Sequence, residues 1–336
     1  MLLAGDVGGT KTLLGLFERG MAGDRPRPVL VREFGTLDFD SFEEIVDEFL
    51  GVRDGAAASP VDAMCVGVAG PVNGLVARLT NVPWIVNLAL VAPQVGRARL
   101  KLLNDLEAMA HAVPFLEPDE IAVLQEGVAM PRGNAALIAA GTGLGEALLH
   151  NVNGRFVPSP SEGGHADFAP RNPRELAMAQ FFMRERERIE VETFLSGPGV
   201  VNMYRFVHGG GDDIGCDGVP DGTDIADAPP QITEAALDNT CERCVDTLNL
   251  FVEVYGSEAG NLALRSVATA GVYLGGGIAP KILPALESGR FLDAFRDKPP
   301  MTDLLATIPI RVILNEQAGL VGASVHAQAL AAAAHS

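Results

Sequence analysis

Three glycine-rich turns, each placed directly after a short apolar run, constrain this chain more than any other feature. They are Gly5-Asp6-Val7-Gly8-Gly9-Thr10, Gly141-Thr142-Gly143-Leu144-Gly145 and Gly275-Gly276-Gly277. Glycine has no Cβ and reaches φ > 0 at little cost, so backbone N–H groups in such a turn can press against phosphate oxygens. One turn of this kind says little, because any tight turn favours glycine. Three of them at strand ends are harder to dismiss. The first two are answered by a second apolar run, Leu13 to Phe17 and Ala147 to Asn151, which predicts two β-hairpins and two related halves.

Other phosphate-binding architectures do not fit. A P-loop requires G-x-x-x-x-G-K-[ST], but Thr10 stands where the second glycine should be, and the turn joins two strands instead of a strand and a helix. The dinucleotide fingerprint G-x-G-x-x-G fails because Glu146 follows Gly145 and no helix begins there. The G-x-S-x-G of serine hydrolases is absent.

Around the turns the pattern alternates between strands and helices, which predicts an α/β fold. Strands are expected at Val29 to Phe34, Ala63 to Ala69, Leu75 to Leu79 after an Asn73-Gly74 turn, Leu100 to Leu103, Gly271 to Leu274 and Ile310 to Leu314. Helices are expected from Ser41, with Glu44 completing a capping box, and from Leu106. Further helices are expected over Ile232 to Tyr255, near Glu258 to Ser266, over Ala279 to Leu286, and from Glu316 to about Ala332. Pro114 and Pro118 bracket a crossing into a second domain, so the expected division is 1–113 and 114–315.

Composition narrows the partners. The 336 residues carry 25 basic and 43 acidic side chains, a net charge of −18, which repels a nucleic-acid backbone and an anionic membrane face. Neither partner is expected. ATP would be repelled too, so its site must work locally through backbone N–H groups and Mg²⁺. No uncharged run is long enough to span a bilayer, and MLLAGDVGGT lacks the features of a signal peptide. A cytoplasmic protein is expected, with a homodimer left open. Of the four cysteines, Cys241 and Cys244 form a C-x-x-C inside the helical pattern and read as structural. The Gly-, Asp- and Pro-rich stretch from His208 to Pro230 reads as a surface loop and does not match a calcium-binding loop.

Several polar residues sit among apolar ones. Asn104-Asp105 ends a buried strand, where open α/β sheets place their ligands; Asp105 there can serve as a catalytic base or as a helix cap. Ser161-Glu162-Gly163-Gly164-His165 sets a carboxylate and an imidazole three apart across two glycines, able to converge on one small polar ligand from a loop. Glu192 precedes Ser196-Gly197-Pro198-Gly199 and by itself reads as a solvated charge or a cap.

Taken together, these segments resemble the bacterial glucokinases, members of the clan that includes hexokinase, actin and the heat-shock-chaperone ATPases. The resemblance rests on Gly5 to Thr10, Leu79-Thr80-Asn81, Leu103 to Ala108, Gly141 to Gly145, Glu162 to Phe168, Glu192 to Gly199 and Leu274 to Ala279, in that order along nearly the whole chain. It implies a two-domain actin-like (ribonuclease H-like) fold with the small domain completed by the C-terminal helix, about 316–333, and a sugar and ATP cleft between the domains. It implies ATP-dependent phosphorylation of glucose at the 6-hydroxyl, with Asp105 as the base. A kinase for mannose or an amino sugar and a non-catalytic sugar sensor are the alternatives. Asn81, Asn104, Asp105, Glu162, His165 and Glu192 are implied to hold the sugar. Gly5, Asp6, Val7, Gly8, Gly9, Thr10, Lys11, Thr142, Gly143, Gly275 and Gly276 are implied to hold the nucleotide, with Asp6 orienting Mg²⁺ through water. Lys11-Thr12 departs from the usual Asn-Ala-Arg and looks more like the related repressor and kinase family, but that family's C-x-C-G-x-x-G-C zinc cluster is missing. His165 is therefore expected to bind sugar, and no zinc is expected.

Overall fold

The computed structural model describes residues 1–333 except 22, 52–58, 80–81, 210–215, 217–218 and 220–226. Asn81 and most of the Gly/Asp-rich stretch thus lie outside the described residues. The chain forms two compact units, one of Met1–Glu117, Val157–Pro160 and Asn315–Ser336, the other of Pro118–Phe156 and Ser161–Leu314. No described helix is long and apolar enough to cross a membrane.

The first unit contains strands β1 (Leu2–Val7), β2 (Lys11–Glu18), β3 (Arg27–Gly35) and β4 (Ala63–Val68). A small antiparallel sheet follows, β5 (Val72–Asn73), β6 (Val76–Arg78) and β7 (Ile85–Asn87), and then β8 (Arg99–Asn104). The main sheet has the order β3-β2-β1-β4-β8. β1 and β2 form the predicted hairpin, with Leu2 opposite Phe17 and Val7 opposite Thr12. β4 runs parallel to β1, and β8 parallel to β4. Leu3 and Val7 of β1 enter one core with Ile45, Phe49 and Leu88. Leu2 and Ala4 enter another with Leu320, Ala323 and Ala327. Burial on both faces explains why β1 and β4 are nearly continuous apolar runs instead of alternating ones.

Helices α1 (Phe42–Gly51), α2 (Leu88–Val95) and α3 (Asp105–Ala112) complete this part of the unit. At α1, Ser41 Oγ accepts the Glu44 N–H at 3.3 Å. The Glu44 carboxylate accepts from the Asp40 N–H at 3.0 Å, so the cap reaches one residue further back than the expected box.

The second unit repeats the plan. Its sheet is built of β9 (Ile121–Gln125), β10 (Ala135–Ala140), β11 (Leu144–Val152), β12 (Arg155–Ser161), β13 (Gly271–Gly275) and β14 (Ile310–Ile313), in the order β12-β11-β10-β13-β14-β9, with Val157–Pro160 of β12 counted in the first unit. β10 and β11 pair antiparallel from Ala135–Leu149 to Ala140–Leu144, and β13 and β14 follow in parallel. A hairpin extended by two parallel strands therefore recurs in both units, as the echo of the glycine turns suggested.

Its helices are α4 (Pro173–Phe182), α5 (Gly197–Val207), α6 (Ala228–Leu237), α7 (Glu242–Ser266) and the short α8 (Leu283–Leu286), α9 (Arg290–Arg296) and α10 (Thr302–Thr307). The helix expected over Ile232 to Tyr255 is in fact divided. The break falls between Leu237 and Glu242, where Asn239 takes φ +56°, and α7 then runs without interruption to Ser266. Gly256 does not end a helix. A Cβ there would lie 2.2 Å from the Phe291 carbonyl oxygen, so this glycine allows α7 and α9 to approach closely.

The last helix, α11 (Ala318–Ala332), belongs to the first unit and packs along α3. Gly322 makes that contact close, since a Cβ at this position would sit 1.7 Å from the Ala108 carbonyl oxygen. His326 and His111 join the same two helices, Nδ1 to Nε2 at 3.1 Å.

Candidate active site

In the first unit, only Gly8, Gly9 and Thr10 of the first glycine segment form the turn; Gly5, Asp6 and Val7 are strand residues. Gly5 lies between β2 and β4, and a Cβ there would meet Leu14 at 3.0 Å and Val66 at 3.1 Å, so its smallness serves the packing of the sheet. Val7 is fully buried. The turn is held by its own backbone, with Gly8 N–H donating to Lys11 O at 3.0 Å, and by Thr36, whose hydroxyl donates to Gly8 O at 2.9 Å. Neither Gly8 nor Gly9 adopts positive φ. What glycine contributes here is close approach: a Cβ on Gly8 would lie 3.1 Å from Lys11 O.

Asp6 points toward α11, where its Oδ2 lies 2.5 Å from the position a Cβ on Gly319 would take. Burial, then the nearby Asp105 carboxylate, push its pKa from an ordinary 3.8 up to about 7, with Lys11 pulling the other way. A carboxylate so placed costs stability once it is ionised. Below pH 3.8 Asp6 is neutral in both folded and unfolded chains; as pH rises from there to about 7 the unfolded chain ionises first, so the folded state loses stability across that window, and the loss is complete once the buried group ionises. Asp6→Asn is therefore expected to stabilise the chain at pH 8 by up to about 4 kcal/mol and far less at pH 4.5. Denaturant unfolding at both pH values measures it. An equal difference at both would refute the assignment.

Asn104 and Asp105 stand at the β8–α3 junction. Asn104 is the N-cap: its Oδ1 accepts the Leu106 N–H at 3.0 Å, and its Nδ2 donates to Gly70 O at 3.4 Å. Asp105 Oδ1 accepts the same Leu106 N–H at 2.9 Å. The two readings of Asp105 are thus compatible, because Asn104 supplies a cap of its own. Asn104, in turn, spends both ends of its amide on the framework, a commitment that spacing did not reveal.

In the second unit, the Gly141–Leu144 turn closes through Gly141 N–H to Gly143 O at 2.9 Å. The first residue of α5 joins it, as Gly197 N–H donates to Gly141 O at 2.8 Å. Glu192 presses on the turn from the other side. Its Oε2 accepts the Leu144 N–H at 2.7 Å, and a Cβ on Gly143 would lie 2.6 Å from the same oxygen. Glu192 is accordingly no free solvated charge. At the third turn Gly276 has φ +81°, and a Cβ would strike Ala140 O at 2.3 Å, so glycine is required there on both counts.

Gly163 to His165 form a tight turn against β11; Cβ atoms at Gly163 and Gly164 would lie 2.0 Å from Glu146 Oε2 and 2.2 Å from Leu144 O. This turn carries Glu162 and His165 on an exposed face, as the two glycines suggested. His165 Nδ1 lies 3.1 Å from Glu190 Oε2, and ligating atoms of His165, Glu190 and Glu192 all fall within 4.8 Å of one another. Sequence reasoning missed Glu190. Glu190 is the N-cap of the 3-10 turn Val191–Thr193 that carries Glu192, and spacing alone gave no signal for it. Sequence reasoning also missed Glu146, a buried carboxyl pushed up to about 7 by burial and then by Glu258, which supports the turn from below.

A family model described as Glucokinase matches residues 3–330. A glucokinase of Nostoc sp. is 36% identical over 346 residues, covering 98% of this chain and 99% of that protein. One from Cronobacter sakazakii is 35% identical over 325 residues, covering 96% of each. Among solved structures, the glucokinase of an Antarctic psychrotroph superposes with a TM-score of 0.84 at 28% identity, covering 98% of both chains. The two units, each a hairpin extended by parallel strands, are those of the two-domain actin-like kinase fold. With a match that runs from the first strand to the last helix, this chain belongs to the glucokinase family.

Proposed function

We propose that this enzyme transfers the γ-phosphoryl group of ATP to the 6-hydroxyl of glucose, giving glucose 6-phosphate and ADP, in the cytoplasm where ATP is held. The observation that carries the reading is the Glu192 carboxylate, which is bonded to the Leu144 N–H of the second glycine turn and clustered with His165 and Glu190. One framework thus sets sugar-binding groups against a phosphate-binding turn. A ROK family glucokinase of Streptomyces griseus, 21% identical with a TM-score of 0.62, was solved with glucose and AMPPNP, and it shares this fold.

Roles follow from chemistry. Phosphoryl transfer asks mainly for positioning and charge stabilisation. Asp105 accepts the proton of the 6-hydroxyl. Glu162, His165 and Glu192 bond the remaining hydroxyls, joined by the spare amide hydrogen of Asn104, and Asn81 is assigned here by resemblance alone. The Gly8–Thr10 turn with Lys11 and the Thr142-Gly143 turn offer N–H groups to the phosphates, and Gly275-Gly276 lies beside the adenosine.

Mg²⁺ fits beside Asp6, because burial and then the Asp105 carboxylate raise the cost of ionising Asp6 and a cation relieves it. Asp6 would orient it through water; bound there, it would offset charge on the phosphoryl oxygens.

The test is ADP release with ATP or polyphosphate as donor, across glucose, mannose, fructose, glucosamine and N-acetylmannosamine. Glucose with ATP is expected to have the highest kcat/KM, and a preference for N-acetylmannosamine would overturn the reading. Glu162→Gln and His165→Ala are each expected to raise KM for glucose on the order of 10-fold or more with KM for ATP unchanged. A change confined to ATP would remove both residues from the sugar site.

A further inference from the structure

Away from the glycine turns, the second unit gathers His208 and three cysteines at one place. His208 is the C-cap of α5, Cys241 is the N-cap of α7, and Cys244 follows one turn into α7. The fourth, Cys216, comes from the Gly/Asp-rich stretch. A ring nitrogen of His208 and the sulfurs of Cys216 and Cys241 lie within 4.8 Å of one another. Cys216 Sγ is 3.6 Å from Cys244 Sγ, and Cys244 is also within hydrogen-bonding reach of Cys241. We propose that His208, Cys216, Cys241 and Cys244 form a four-ligand zinc site that staples the Gly/Asp-rich segment to α5 and α7.

The geometry suits this metal. A sulfur separation of 3.6 Å is far beyond the about 2.05 Å of a disulfide bond. It is close to the ~3.8 Å edge of a tetrahedron with Zn–S bonds of about 2.3 Å. His208 is oriented as a ligating histidine usually is: Nδ1 lies 3.0 Å from the Tyr204 carbonyl oxygen, the ring lies tilted against Tyr204 with centroids 3.7 Å apart, and Nε2 is buried with no hydrogen-bond partner among the described residues. A buried nitrogen left unpaired is costly unless something binds it. One imidazole and three thiols fill all four positions of a tetrahedral ion, leaving none for water or substrate, so the site is structural.

Cys216 is held at this place by Val219. The two residues exchange backbone N–H to O=C hydrogen bonds, both at 3.0 Å, and Val219 is buried in the core of the unit. The surrounding stretch is poor in apolar side chains. On binding, the three thiols would release three protons and the imidazole would ligate as the neutral base, giving a site of net charge −1 with Arg243 close by. This departs from the sequence reading, which took Cys241 and Cys244 as structural and expected no zinc; spacing along the chain did not show His208 and Cys216 beside them.

The experiment is metal analysis of the full chain, purified under reducing, chelator-free conditions from zinc-supplemented cells. About one zinc per chain is expected, and cobalt(II) substitution should give the visible bands of a tetrahedral site with thiolate charge transfer. Cys216→Ser and, separately, His208→Ala should lower the zinc content at least about fivefold and lower Tm, while kcat for glucose stays within about twofold. Three results would each overturn the proposal: wild-type protein free of zinc with four titratable thiols, a Cys216–Cys244 disulfide in place of metal, or zinc lost in His165→Ala and kept in Cys216→Ser. The wild-type measurement stands even if a variant fails to fold.

Discussion

Asp105→Ala is expected to lower kcat for glucose by about 100-fold or more while glucose still binds. A general base acts only as the proton moves, so its loss falls on kcat, whereas hydroxyl-binding residues act on KM. The local structure makes this test clean. Asp105 accepts the Leu106 N–H, but Asn104 accepts the same N–H at 3.0 Å, so the start of α3 stays capped without the carboxylate. Removing Asp105 also relieves Asp6, whose raised pKa owes its second-largest contribution to that neighbour. The variant should therefore remain folded near neutral pH. Glucose binding by calorimetry, steady-state kcat and thermal unfolding together separate loss of chemistry from loss of fold. Turnover within about tenfold of the parent would remove Asp105 from the base role.

The second large effect is on stability and comes from one methyl group. In Gly322→Ala the new Cβ would lie 1.7 Å from the Ala108 carbonyl oxygen and 2.9 Å from the Ala112 N of α3. Backbone atoms cannot swing aside as a flexible side chain can, so α11 must move away from α3 along its length. Overpacking of this kind costs about 1–3 kcal/mol, and contact with rigid backbone places this case at the upper end. Function should suffer with stability, because α3 begins at Asp105 and the first turn of α11 carries Gly319 against Asp6. Gly51→Ala at the end of α1, where a Cβ meets nothing within 4 Å, is the control and should stay within about 0.5 kcal/mol of the parent. If both variants unfolded alike in calorimetry, the close helix contact would not be what Gly322 provides.

Much of this protein is legible locally. The hairpins at Gly8–Thr10 and Gly141–Leu144, and the junction at Asn104-Asp105, follow from short apolar runs ended by glycine or by a capping residue. These signals survive in the linear chain because a turn or a cap is made by residues a few positions apart. Helix boundaries are less legible: the break at Asn239 competes with Gly256, and only the Phe291 carbonyl, brought in by α9, shows that Gly256 belongs inside α7.

The order of the glycine turns and the residues around them determined by themselves that this chain is an α/β kinase of the glucokinase family. Only the tertiary structure brought Glu190 to His165, laid Glu192 under Gly143, pressed Gly319 against Asp6, and collected His208, Cys216, Cys241 and Cys244 at one point. The physical reason is range. Turn and strand propensities are set by neighbours in the chain, whereas the charge, burial and ligand geometry of a site are set by residues that only folding makes into neighbours.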